Sequence, residues 1–282
     1  MDRKRVTIPQ LMEWKKNQRK ISALTAYDYT FARLLDESGI DVILVGDSAG
    51  MVAMGHENTL PVTMDEMIFH TRGVRRGVQS ALLVGDMPFM SYHVSEADTI
   101  QNAGRFIQEG GAEAVKMEGG SRILDKVHAV VQAGISVMGH VGLTPQSVHQ
   151  FGGYRVQGKN YLDARQIKKD ALDLQNAGVF ALVLEGMPME LAAEITAELE
   201  IPTIGIGAGS HCDGQILVTQ DMLGMNLDFA PKFVKKYSEV GEAIRSAVQN
   251  YTDEVRSGAF PDEAHSYHLK KEKLRSVGSD SR

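Results

Sequence analysis

The segment VILVGDSAG, from Val42 to Gly50, begins as a buried strand and then delivers an acid and a hydroxyl, Asp47 and Ser48. The event recurs along the chain. LLVGD ends on Asp86, AVKMEG carries Glu118 and ALVLEG carries Glu185, and each of these acids stands directly beside a glycine. Carboxylates gathered in one cleft repel one another unless a cation neutralises them or a pKa shift removes a charge. Oxygen-only ligands suit a hard ion such as Mg2+, which takes few protein carboxylates and keeps positions for water and substrate oxygens. There is no His/Cys spacing of zinc type. Any one of these acids alone reads more readily as a helix cap or a solvated loop residue, whereas four at matching strand ends read as a site.

Lys116 lies two residues before Glu118. Strand side chains alternate, so the two share a face. A lysine among apolar neighbours on a buried strand is rarely structural. It could form a Schiff base with a carbonyl substrate or hold a substrate carboxylate as an ammonium. The surrounding acids keep it protonated and favour the second use.

Convergence of these residues requires strands whose C-terminal ends meet. Strand-like runs are expected at Ser22–Tyr27, Val42–Asp47, Leu82–Asp86, Ala114–Glu118, Ser136–His140, Ala181–Glu185, Thr203–Gly207 and Gln215–Thr219. Most are continuous Val/Ile/Leu, as in parallel strands covered on both faces. Helical patterns alternate with them: Thr30–Ser38, a helix opened by the capping box Thr63–Glu66 and running through Val78, one capped by Ser95 and running through Gln108, Ile123–Gln132, Asp163–Asn176 and Glu190–Leu199. An earlier helix, Pro9–Arg19, is expected to cover the barrel bottom, and the helix between the last two strands is expected to be rudimentary. The pattern predicts a single (β/α)8 TIM barrel, over residues 1–262, with active-site residues at the C-terminal strand ends. A doubly wound open sheet is the alternative fold. Residues 263–282 read as a polar, flexible C-terminal tail, and its basic cluster, Lys270, Lys271, Lys273 and Arg275, as a solvated terminus.

The 282 residues are 43% hydrophobic and 23% charged with a formal charge of −6, so no general nucleic-acid footprint is visible. No apolar run is long enough to cross a bilayer, and the basic N-terminal stretch lacks the apolar core of a secretory signal. Cys212 is the only cysteine. An intrachain disulfide is therefore impossible, and a reducing, cytoplasmic location is expected.

The acids and their flanks resemble the ketopantoate hydroxymethyltransferase (3-methyl-2-oxobutanoate hydroxymethyltransferase) family. The resemblance is carried by LTAYDYTFARLLDESGIDVILVGDSAGMVAMGHENTLPVTMDEM, GDMPFMSY, AEAVKMEGG, VMGHVGLTPQSVHQFGGYRVQGK, LVLEGMP and IPTIGIGAGSHCDGQILV, in that order from Leu24 to Val218. It implies a barrel of the phosphoenolpyruvate mutase/isocitrate lyase type. The implied reaction transfers a hydroxymethyl group from 5,10-methylenetetrahydrofolate to 3-methyl-2-oxobutanoate, the first committed step toward pantothenate. By the same resemblance Asp47 and Asp86 are metal-site residues, with Glu118 completing a Mg2+ site largely through water. Asp47, Ser48 and Asp86 contact the keto acid, Lys116 holds its carboxylate, and Glu185 is the catalytic base. A large homo-oligomer such as a decamer is also implied.

Other residues could bear chemistry beside these. His140 ends the fifth strand and is a candidate substrate contact or a residue supporting one, with His149, Tyr154 and Arg155 as weaker candidates on the long loop after it. The glycine run IGIGAG (Ile204–Gly209) resembles a phosphate cradle but reads better as close backbone packing. Cys212 has no assignable base. Two rival functions remain: a Mg2+-dependent 2-oxo acid lyase or mutase on the same barrel, and a non-catalytic metabolite-binding barrel, which would need no proton acceptor.

Overall fold

The structure is a computed structural model that describes residues 4–226 and 231–269. Eight parallel strands close in sequence order: β1 (Ile21–Thr25), β2 (Val42–Val45), β3 (Leu82–Asp86), β4 (Ala114–Glu118), β5 (Val137–Gly142), β6 (Ala181–Glu185), β7 (Thr203–Ile206) and β8 (Gly214–Leu217). The circle is completed by β8 on β1, in register from Ile21 opposite Gly214 to Leu24 opposite Leu217. Closure excludes the doubly wound open sheet. Helices follow in chain order: α1 (Ile8–Lys16), α2 (Tyr29–Glu37), the short α3 (Ala49–Val52), α4 (Met64–Gly77), α5 (Glu96–Arg105), α6 (Leu124–Gln132), the short α7 (Val148–Phe151), α8 (Tyr161–Ala177), α9 (Met189–Glu198), the short α10 (Thr219–Met222) and α11 (Val240–Ser257).

Local chemistry places the elements where the residue pattern predicts them. Thr63 and Glu66 close a reciprocal capping box on α4, the Thr63 amide donating to Glu66 Oε2 at 2.8 Å and the Glu66 amide to Thr63 Oγ1 at 3.3 Å. Such a cap is worth about 1 kcal/mol. Gly178, at φ +99, ends α8 in the left-handed conformation that glycine adopts without steric cost.

The strand side chains divide into two layers by parity. Ile43, Val45, Leu83, Val115, Met117, Leu182 and Leu184 pack outward against helical residues such as Met67, Phe106, Val127 and Leu174. Ile21, Ala23, Val42, Leu44, Leu82, Val84, Ala114, Met138, Ala181, Val183 and Ile204 fill the barrel interior, and the same cluster contains Leu11 and Trp14 of α1. Further polar contacts tie this end of the chain to the N-terminal ends of strands: the Val6 amide donates to the Ser80 carbonyl, Lys15 Nζ lies 2.8 Å from Asp213, and Lys20 Nζ bonds the Cys212 carbonyl. The interior is therefore apolar where the strands start.

Several boundaries differ from expectation. β2 stops at Val45 because Gly46 and Asp47 enter a turn, with the Ala49 amide donating to the Gly46 carbonyl at 3.0 Å. β5 runs on to Gly142, so His140 lies inside the strand rather than at its end. β8 lies earlier than expected, and Thr219 already opens α10. Between β7 and β8 there is only a turn, in keeping with a rudimentary helix. The 18-residue α11 is absent from the elements expected from sequence, and Gly241 is its only buried residue. Beyond residue 262 a single 3-10 turn, Glu263–His265, begins the tail, and the basic cluster Lys270, Lys271, Lys273 and Arg275 lies outside the described residues.

Candidate active site

Each ionisable residue singled out on a strand continues the inward parity of its own strand. Asp86 follows Leu82 and Val84, Lys116 and Glu118 follow Ala114, His140 follows Met138, and Glu185 follows Ala181 and Val183. The interior thus turns from apolar to ionisable near the C-terminal strand ends. Register brings them side by side: Asp86 is opposite Lys116, Glu118 opposite His140, and Glu185 opposite Gly142. Asp47, just beyond β2, is tied in by its own amide, which donates to Asp86 Oδ2 at 3.2 Å.

The side chains form one continuous polar cluster. Lys116 Nζ lies 2.9 Å from Asp86 Oδ1 and 4.0 Å from Glu118 Oε2. His140 bridges two acids, with Nδ1 3.4 Å from Glu118 Oε2 and Nε2 3.3 Å from Glu185 Oε2. Glu185 is the most open of them, its side chain 16% exposed against 2% for His140. Ser48 Oγ lies 2.9 Å from the hydroxyl of buried Tyr27.

Burial dominates the electrostatics. It raises the Asp47 carboxyl well above its ordinary range, and repulsion from Asp86 and Glu118 adds to this, with only partial relief from Lys116 and a hydrogen bond from Gln146. Asp86 is also raised, by burial first and by Glu118, against the pull of Lys116. Burial and the Lys116 ammonium push the His140 imidazole down, but its bonds to Glu118 and Glu185 outweigh them and bring it up to about 9. Burial likewise disfavours charge on Lys116, yet Asp86, Glu118 and Asp47 together hold the ammonium above its usual value. The cluster carries more acid than the two bases can balance.

Comparison with known proteins places the chain in a family. A family model described as ketopantoate hydroxymethyltransferase matches residues 5–263. The chain belongs to that family. A 3-methyl-2-oxobutanoate hydroxymethyltransferase of Pelobacter propionicus is 59% identical over 266 residues, covering 94% of this chain and 98% of the relative. One of Syntrophomonas wolfei is 55% identical, covering 96% and 98%. The chain is accordingly an enzyme of the hydroxymethyltransferase type. Solved structures share the fold alone. Phosphonopyruvate hydrolase in complex with oxalate and Mg2+ aligns with a TM-score of 0.60 at 14% identity, over 96% of this chain and 98% of that one. A 2,3-dimethylmalate lyase of the PEP mutase/isocitrate lyase superfamily aligns at 0.58 with 16% identity, over 96% and 93%. The barrel has the fold of these proteins.

The donor set fits a hard cation in one specific way. Asp86 Oδ1 and Glu118 Oε2 are buried and face Lys116 and His140, and burial raises both Asp47 and Asp86 even with the Lys116 ammonium beside them, so the acids stay under-neutralised. Among the described residues no three His, Cys, Asp or Glu side chains are arranged as direct ligands of one ion. Direct coordination by Asp47, Asp86 and Glu118 together therefore does not describe this geometry. Two carboxylates, Asp47 and Asp86, with Glu118 acting through water, do fit Mg2+, which is held by one or two carboxylates and keeps its other positions for water and substrate.

The structure leaves the remaining candidates elsewhere. His149, Tyr154 and Arg155 are exposed. Tyr154 alone reaches back, its hydroxyl 3.5 Å from Met51 Sδ. The glycines of IGIGAG are explained by packing, since a Cβ on Gly207 would lie 2.8 Å from the Phe233 ring and one on Gly209 would lie 2.4 Å from Met189 Cβ. Cys212 is buried just before β8, at the opposite end of the strands from the acids, where burial pushes its thiol up and disfavours a nucleophilic thiolate. Gln146, Tyr92 and Tyr27 are additions that sequence reasoning missed. Neutral polar residues in loops carry no sequence mark of burial, although Tyr92 and Gln146 both lie in segments that carry the family resemblance.

Proposed function

We propose that the enzyme transfers a hydroxymethyl group from 5,10-methylenetetrahydrofolate to 3-methyl-2-oxobutanoate, giving 2-dehydropantoate and tetrahydrofolate, as the first committed step of pantothenate biosynthesis. The observation that carries this reading is the unbroken chain from Asp86 through Lys116 and Glu118 to His140 and Glu185, all on inward strand positions at one end of the barrel. A binding protein would not need the half-open carboxylate at the end of that chain.

Asp47 and Asp86 would hold the Mg2+ and, with Ser48, border the keto acid, while Glu118 supports the cation through water. A bound Mg2+ supplies Lewis-acid stabilisation of the negative charge that develops on the keto oxygen. Lys116 pairs with the substrate carboxylate, a charge-assisted contact that its neighbouring acids favour by keeping it protonated. Glu185 accepts the C3 proton. Its Oε2 is oriented by His140 Nε2, 3.3 Å away. The C3 carbanion equivalent then bonds to the one-carbon unit, opened from the folate as an iminium. Water supplies the hydroxyl oxygen, and tetrahydrofolate leaves as the amine.

The test is twofold. C3 deuterium exchange of 3-methyl-2-oxobutanoate should occur with Mg2+ alone and stop when the ion is chelated, whereas net product formation should require the folate donor. A lyase or mutase would instead turn over a 2-oxo acid with no folate present. Asp86→Ala should lose Mg2+-dependent exchange, and unchanged exchange at limiting Mg2+ would sink the ligand role.

The partners proposed are the keto acid, the folate and further copies of this chain. A homo-oligomer is supported by α11, whose Ile244, Val248, Tyr251 and Val255 recur on one helical face and are 46–58% exposed in the single chain. A cytoplasmic location goes with the lone Cys212 thiol, buried and unpaired with any other cysteine. No helix among the described residues is long and apolar enough to cross a membrane.

A further inference from the structure

Gln146 stands in the 3-10 turn Pro145–Ser147 after β5 and is 7% exposed. Its side-chain Nε2 donates to Asp47 Oδ2 at 2.9 Å and to the Met87 carbonyl at 3.0 Å. Its Oε1 accepts from the hydroxyl of fully buried Tyr92 at 2.7 Å. Its main-chain amide donates to Glu118 Oε1 at 2.8 Å. A carboxamide offers two N–H groups and one carbonyl oxygen, and here all are engaged. The Met87 carbonyl can only accept, so the nitrogen end meets it and Asp47, and the oxygen end meets the Tyr92 hydroxyl, which also lies 3.1 Å from the Glu118 carbonyl.

The consequence is a selective commitment of oxygens. Asp47 Oδ2 and Glu118 Oε1 are tied by Gln146, and Asp86 Oδ2 is tied by the Asp47 amide. Glu118 Oε2 and Asp86 Oδ1 are left facing the two bases, 3.4 Å from His140 Nδ1 and 2.9 Å from Lys116 Nζ. A neutral residue can do this without adding positive charge, so the excess negative charge stays available to a cation. A lysine or arginine at the same place would cancel it.

We propose that Gln146, held by the Met87 carbonyl and the Tyr92 hydroxyl, is the positioning residue that holds Asp47 and Glu118 in the arrangement that receives the divalent cation and the keto acid. The inference rests on the Mg2+ reading given under the proposed function. Partners that orient metal-site residues typically change affinity by about 10- to 100-fold when removed.

The experiment is a calorimetric titration of Mg2+ into the full-length wild type, Gln146→Met and Tyr92→Phe, with thermal unfolding of the metal-free proteins in parallel. Gln146→Met keeps the volume and removes both side-chain hydrogen-bonding ends, and Tyr92→Phe removes only the hydroxyl. The expected result is Mg2+ affinity weakened by about tenfold or more, with C3 exchange recovered at saturating Mg2+. A purely structural role would lower the unfolding midpoint and leave Mg2+ affinity within about twofold, which overturns the proposal. If Gln146→Met does not fold, Tyr92→Phe decides in the same way. A wild type that binds no Mg2+ sinks the cation reading and this inference together, whereas a binding wild type with unaffected variants sinks this inference alone.

Discussion

Lys116 Nζ lies 2.9 Å from Asp86 Oδ1 across the β3–β4 pair, with side-chain exposures of 5% and 3%. An ion pair this deep costs desolvation on both sides and stabilises only while both partners remain. Its place at the centre of the acid cluster makes it the balance point of the site. In the free protein the ammonium answers Asp86, and in the proposed complex it answers the substrate carboxylate.

Removing that ammonium should therefore be expensive. Lys116→Met leaves buried Asp86 and Glu118 without their nearby cation, and loss of one partner of a buried pair typically costs about 3–5 kcal/mol. Urea unfolding of the metal-free protein should show a loss of that order, largely recovered in the double variant Lys116→Met/Asp86→Asn. Keto-acid binding should weaken in Lys116→Met, and an unaltered dissociation constant would exclude carboxylate pairing.

Glu185→Gln keeps the shape of the side chain and removes its capacity to accept a proton. C3 deuterium exchange should fall by at least about a hundredfold, the usual worth of a positioned general base. Binding of the keto acid should stay measurable. Exchange at the wild-type rate would mean that the base is another group.

The His140 imidazole titrates at about 9 in the folded protein against an ordinary value of 6.5. A group raised on folding contributes stability that is fully present below the unfolded value and is lost as pH rises through the folded one. The metal-free protein should therefore lose stability between pH 6.5 and about 9, by about 3 kcal/mol at the usual 1.36 kcal/mol per unit. His140→Gln should flatten that slope in thermal unfolding. An equally steep slope in the variant would assign the titration elsewhere.

Gly142 sits opposite Glu185 with φ +97, and a Cβ there would lie 2.3 Å from the Glu185 carbonyl oxygen. The neighbouring Leu143 amide donates to that same oxygen at 2.8 Å. Gly142→Ala should therefore push the two strands apart at the base. We expect a loss of more than about 1 kcal/mol from the strained backbone together with a fall in kcat, since Glu185 would be displaced from His140. An alanine variant with wild-type kcat would show that this contact does not set the base.

Ile244 and Val248 lie one turn apart on the exposed face of α11. The double variant Ile244→Asp/Val248→Asp should shift the protein to smaller species in sedimentation analysis if that face joins copies of the chain. An unchanged sedimentation profile would remove α11 from the interface.

Much of this molecule is legible in its residues because the relevant signals are local. A run such as LLVGD announces a buried strand and, by parity, the direction of its last side chain, so Asp86, Lys116, Glu118 and Glu185 could be assigned to one barrel end from spacing alone. The capping box at Thr63 and Glu66 is local in the same way. Two things are not. β2 ends two residues before Asp47, where the chain turns and the Asp47 amide bonds Asp86, 39 positions away. α11 escapes a search for core-facing helices because this chain buries almost none of it.

The sequence by itself determined the alternation of elements, the closed eight-strand architecture and the four acids with their lysine, since side-chain periodicity and strand-end chemistry are written in neighbouring residues. Tertiary structure alone decided that His140 bridges Glu118 and Glu185, and that Gln146 and Tyr92 lock oxygens of Asp47 and Glu118. Those contacts join residues from separate strands and loops. Their energy comes from burial, which exists only once the barrel has closed.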